Sequence, residues 1–112
     1  MLTDNEMLEI AEKYLKRLED EGTIKLMLHS DFTKKDYGNI YFFNSKLYIE
    51  TGDLNKSIGG NGPFLVEKEK GRVVQFGSFG LIEDQFKAYE NGTLVPALDT
   101  YWYPDEDRFS HK

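Results

Sequence analysis

Residues able to do acid–base, nucleophilic or metal chemistry are few in this chain and poorly spaced for it. There are two histidines, His29 and His111, and no cysteine. His29 falls inside a stretch that reads as a strand and His111 lies one residue from the end; neither spacing is one that metal sites or catalytic triads use. His29 is therefore assigned a structural role. Asp53-Leu54-Asn55 opens like a calcium loop, but the later ligands and the closing glutamate are absent from the required positions. Carboxylate neighbours such as Glu67 with Glu69, or Glu83 with Asp84, are expected by chance among 20 acids, and hydrolytic work needs two carboxyls facing each other across a cleft. Asn55-Lys56-Ser57 and Asn91-Gly92-Thr93 match the glycosylation sequon in form alone, because the N-terminus lacks the basic and apolar regions of a secretion signal. No catalytic residue, cofactor or metal ligand is assigned.

The glycine-rich run Gly59-Gly60-Asn61-Gly62-Pro63 invites a phosphate-binding reading, but the Lys-Ser/Thr of a phosphate loop is missing and a strand, not a helix, should follow. A structural reading has a direct mechanism. Gly60, Asn61 and Gly62 accept positive φ, Pro63 fixes its own φ and holds Gly62 extended, and the chain is re-aimed into the strand at Phe64.

The elements around these residues follow from periodicity. Thr3 and Glu6 form a capping box, and Met7, Leu8, Ala11, Tyr14, Leu15 and Leu18 recur at spacings of three and four, predicting an amphipathic helix that stops at Gly22. Ile24–His29 reads as a strand, 31–38 as a polar connection, and Asn39–Asn44 as an aromatic strand. Lys46–Glu50 reads as a short strand after a tight turn at Asn44-Ser45. After a loop over 51–63, Phe64–Glu67 and Arg72–Phe76 flank Lys68-Glu69-Lys70-Gly71 as a hairpin. Ile82–Glu90 has helical spacing and ends at Asn91-Gly92. The tail, with Pro96 and Pro104, reads as irregular or as a short edge strand. The expected architecture is one α+β domain over 1–112: an N-terminal helix on a mainly antiparallel sheet of about five strands, a short second helix and an irregular tail.

At 112 residues and 13.0 kDa, with 39% hydrophobic and 14% aromatic residues, the chain has material for one core. Its net charge of −6 argues against a nucleic-acid surface, which needs clustered Lys and Arg. No apolar run approaches the ~20 residues of a membrane span, so a cytoplasmic protein with no membrane partner is expected. The charge is uneven: residues 1–21 carry −4, residues 22–97 are neutral and residues 98–112 carry −2. A basic partner should therefore meet the two ends.

Tyr41-Phe42-Phe43-Asn44-Ser45 is followed by Tyr48-Ile49-Glu50-Thr51-Gly52-Asp53. Gly60-Asn61-Gly62-Pro63-Phe64-Leu65-Val66, the turn glycine Gly71 and Val73-Val74-Gln75-Phe76-Gly77-Ser78 come next. In this order the pieces resemble the immunity protein 35 family of bacterial polymorphic-toxin systems, also described as YrhB-like domains. One departure is Asn39-Ile40 where a tryptophan is expected. The resemblance implies a small α+β protein that binds and neutralises a toxin, without catalysis. Stoichiometric inhibition by an acidic surface is the first functional reading. Candidate partner contacts are Asp99, Tyr101, Trp102, Tyr103, Asp105, Glu106 and Asp107, since aromatic anchors ringed by charge match interface hot spots. The same aromatic cluster could instead fold back and cap the core. The second functional reading is a chaperone-like or regulatory binding module that displays Tyr41, Phe43 and Tyr48.

Overall fold

The computed structural model describes residues 1–22, 24–57, 62–77, 81–97 and 99–111. Helix α1 (Asp4–Glu21) begins at the expected box: Glu6 donates its N–H to Thr3 Oγ1 at 3.2 Å and Thr3 donates its own to Glu6 Oε1 at 2.9 Å. Two orphan amides of the first turn are thereby satisfied reciprocally. Met7, Ala11, Tyr14 and Leu15 turn inward. Gly22 ends the helix in extended backbone, φ −121°, so the chain leaves toward the sheet without a left-handed reversal.

Strands β1 (Leu26–Lys35), β2 (Gly38–Ser45), β3 (Phe64–Glu67), β4 (Val73–Gln75), β5 (Tyr101–Tyr103) and β6 (Arg108–Ser110) form one sheet in sequence order, and each neighbouring pair is antiparallel. Six strands rather than about five result, because the tail is a hairpin: Pro104 sits in the turn, where its missing N–H costs the ladder nothing, and β5 pairs with β4. Two further expectations change. The polar stretch after His29 continues β1 to Lys35, leaving Asp36 and Tyr37 as the turn; an edge strand can stay polar because its outer side faces water. Residues 46–50 are not a strand but lie in helix α2 (Lys46–Thr51). Ser45 caps it, its Oγ accepting the Tyr48 N–H at 3.1 Å, and Gly52 closes it at φ 73°.

Helix α3 (Ile82–Asn91) matches its expected span but lies across the sheet from α1. Strand alternation divides the side chains between them. Tyr41, Phe64, Val66, Val73 and Trp102 pack with α1, while Ile40, Leu65, Val74 and Phe76 pack with Ile82, Phe86 and Tyr89 of α3. Gly60 and Asn61 lie outside the described residues. Gly62 is required for a different reason from the expected one: a Cβ there would sit 2.2 Å from the Phe76 carbonyl oxygen. Gln75 holds this approach, donating from Nε2 to the carbonyls of Gly62 at 2.9 Å and Phe76 at 2.8 Å while accepting the Tyr14 hydroxyl at 2.7 Å.

Candidate interaction surface

A six-stranded meander places the β1–β2, β3–β4 and β5–β6 turns at the same end of the sheet. Between them lies a cleft of about 840 Å³ that also reaches Met1. Asp36 and Tyr37 come from the first turn, Lys68, Glu69 and Lys70 from the second, and Pro104, Asp105 and Glu106 from the third. Tyr103, Glu67 and Arg72 line it as well.

Glu67 and Arg72, which close the second hairpin, form a bidentate pair with N–O distances of 2.6 and 2.9 Å. Their side chains are only 17% and 27% exposed, so the pair is worth more than a surface ion pair and is costly to leave half made. Arg72 lies over the Tyr101 ring, 4.2 Å from its centroid, and Tyr89 donates its hydroxyl to Glu67 Oε2. Burial first, then the Glu67 carboxylate, pushes the Tyr89 hydroxyl far up. Tyr37 is raised in the same way by burial and by Glu90, which accepts its hydroxyl at 2.6 Å. Hydrogen bonding to Glu67 holds Arg72 firmly cationic. The Tyr37 and Tyr89 hydroxyls and the Arg72 guanidinium therefore keep their protons. Among the described residues no three His, Asp or Glu side chains gather as a metal site, and no helix is long and apolar enough to cross a membrane.

The C-terminal hairpin is clamped to α1. Trp102 is 1% exposed, with its ring 5.5 Å from that of Tyr14, and it donates Nε1–H to Asp107 Oδ1 at 2.9 Å. The same oxygen accepts Arg17 Nε at 3.0 Å, and Lys13 reaches the Pro104 carbonyl at 3.4 Å. The Trp102 hydrogen bond, then Arg17, holds the Asp107 carboxyl below its ordinary range. Asp107 adopts φ 46°, a left-handed conformation that aspartate tolerates better than most residues. Asp99 and Glu21 both add to the upward shift of the Tyr14 hydroxyl, in which burial is the largest cause. The Arg17–Asp107 ion pair thus brings the two acidic ends of the chain together.

The seven residues singled out in the tail do not form one patch. Trp102 faces α1 and is buried, its packing matching the core-capping alternative. Tyr101 faces the other way, under Arg72, and is half-buried; Tyr103 is half-buried beneath Arg108, whose Cζ lies 4.6 Å from its ring centroid. Asp99, Asp105, Glu106 and Asp107 are exposed, but Glu106 pairs with Arg108 at 2.8 Å. Of the seven, Tyr103, Asp105 and Glu106 line the cleft. Sequence reasoning missed Asp36, Tyr37 and the Lys68–Lys70 turn as their neighbours; the signal was the succession of short hairpins, which puts alternate turns at one end. Tyr41 is buried, Phe43 packs against the core, and Tyr48 is half-buried on α2. His29 is exposed on β1.

Residues 5–91 match the family model described as Immunity protein 35. A curated relative, "Uncharacterized protein YrhB" of Escherichia coli (strain K12), is 27% identical over 90 residues, spanning 80% of this chain and 90% of the relative. No solved structure matches significantly.

Proposed function

Because the chain belongs to the immunity protein 35 family, we propose that it binds a cognate bacterial toxin in the cytoplasm and neutralises it by forming a stoichiometric complex. The observation that carries this reading is the joining of both acidic ends of the chain. Arg17 and Asp107 tie α1 to the last hairpin, leaving Asp105 and Glu106 exposed at the cleft, with Asp99 exposed at the other end of β5. A toxin enzyme with a basic substrate groove is complementary to such a surface, and the charge raises its association rate. Tyr103 and the half-buried Tyr101 offer aromatic contact at the rim. The chaperone-like reading loses its support, since Tyr41 is 3% exposed and Phe43 packs in the core.

The test is to look for a toxin domain encoded beside this gene and to co-express and co-purify it with this chain. A one-to-one complex that abolishes toxin activity is expected. The variant D99N/D105N/E106Q should slow association most at low salt, while its melting temperature stays that of the parent. Absence of a complex, or suppression of aggregation of unrelated unfolded proteins, would overturn the proposal.

A further inference from the structure

Strand β1 is the long free edge of the sheet. It runs ten residues, and among the described residues β2 is its one neighbour. Long unpaired edges are templates for another strand and are usually shortened, charged or covered. The N-terminal half of β1 is covered: Leu26 donates its N–H to Glu19 Oε2 of α1 at 2.7 Å. A bulge follows, in which Leu28 stands opposite Phe43 and Phe32 opposite Tyr41, so that three residues of β1 face one of β2. Beyond the bulge the ladder is regular from Phe32 to Lys35.

The direction of the free backbone groups there follows from the hydrogen bonds of β2. Lys68 donates its N–H to the Tyr37 carbonyl, so odd-numbered residues at this end of β2 turn their backbone toward β3 and even-numbered ones toward β1. Gly38 and Ile40 thus bond to Lys35 and Thr33, and Phe32 and Lys34 point their amides and carbonyls away from the sheet. Phe32 is 44% exposed and stacks on Tyr41, with centroids 5.4 Å apart.

We infer that this half of β1 pairs antiparallel with β1 of a second copy, about a two-fold axis at Thr33. In that register Phe32 meets Lys34 of the other copy, and both present outward backbone groups, so each pair exchanges two ladder hydrogen bonds. Thr33 faces Thr33, a favourable cross-strand pair. Asp31 faces Lys35 and Lys35 faces Asp31, so the charges are self-complementary as an isologous contact requires. Lys35 would exchange for this pair a 3.8 Å contact with Glu90 and a place 5.9 Å from the Phe86 ring centroid. The other edge, β6, has three residues and offers a much shorter ladder. The dimer does not depend on the toxin reading.

Sedimentation velocity on the full chain tests this inference. At tens of micromolar (an order-of-magnitude choice) a species of about twice 13.0 kDa is expected. D31K and K35D should each weaken the dimer at least about tenfold by setting like charges opposite each other. An equimolar mixture of the two variants should restore it as a heterodimer, because each then supplies the charge the other lacks. A monomer at all concentrations up to about 0.5 mM would overturn the inference, as would a dimer indifferent to both changes. A monomer that loses toxin binding on D31K would also overturn it and assign the edge to a strand of the partner.

Discussion

Among the described residues, eight buried side chains close the α1 face of the sheet around Tyr14 and Trp102, whereas four do so on the α3 face, and α3 contributes no fully buried residue. The α1 face holds the larger apolar cluster, with the Tyr14 hydroxyl on Gln75 and Asn39 donating to the Tyr41 hydroxyl within it, and is sealed by segments from both ends of the chain. The α3 face is finished with tyrosines whose hydroxyls reach carboxylates, Tyr37 to Glu90 and Tyr89 to Glu67, and with the Glu67–Arg72 pair beside the cleft. The larger buried cluster thus lies under α1, while the α3 face carries fewer buried side chains and more polar groups that reach water.

The largest test of this contrast is W102A. Removing the ring opens a cavity beneath α1, leaves Asp107 with Arg17 but without its indole donor, and should cost about 3–5 kcal/mol in chemical denaturation. R72A leaves Glu67 without its bidentate partner in a site only 17% exposed, at about 2–3 kcal/mol. A smaller loss would show that water readily reaches Glu67. F86A on α3 should cost about 1–2 kcal/mol, since its half-buried ring contributes only part of a full burial. A loss equal to that of W102A would erase the distinction between the faces.

The helices and the aromatic strand were legible because their signals are local: the Thr3–Glu6 box, the spacing of Ile82, Phe86 and Tyr89, and the β-branched and aromatic residues 39–44. Residues 46–50 were misread because Leu47 and Ile49 alternate as a strand would, while the deciding features, Ser45 as a cap and Gly52 in left-handed conformation, lie just outside the run. The tail misled for a related reason. Pro104 argues against a strand only if it lies within one, and its place in a turn depends on β4 being there for β5 to pair with. The candidate surface was half legible: Asp105 and Glu106 stand out by composition, but their nearness to Lys68 and Tyr37 arises from sheet order alone.

The smallest expected effect comes from Asp107, whose carboxyl is exposed yet held below its ordinary pKa by Trp102 and Arg17. A group lowered in the folded state adds stability at pH above its unfolded value and loses it as pH falls through its folded value. The melting temperature should therefore hold near neutrality and decline below about 3.8, the ordinary value. D107N should lower the neutral-pH plateau slightly and flatten the decline. An unchanged pH profile would place the clamp in the apolar contacts of Trp102 alone.

The Arg17–Asp107 contact spans 90 residues of chain. On a ribosome, which emits a chain from its N-terminus, α1 therefore emerges long before the hairpin that completes its packing. Until Trp102 and Asp107 appear, Tyr14 lacks the ring that packs against it, and the acidic ends cannot adjoin. The clamp between α1 and the tail thus exists only once the last hairpin has been translated.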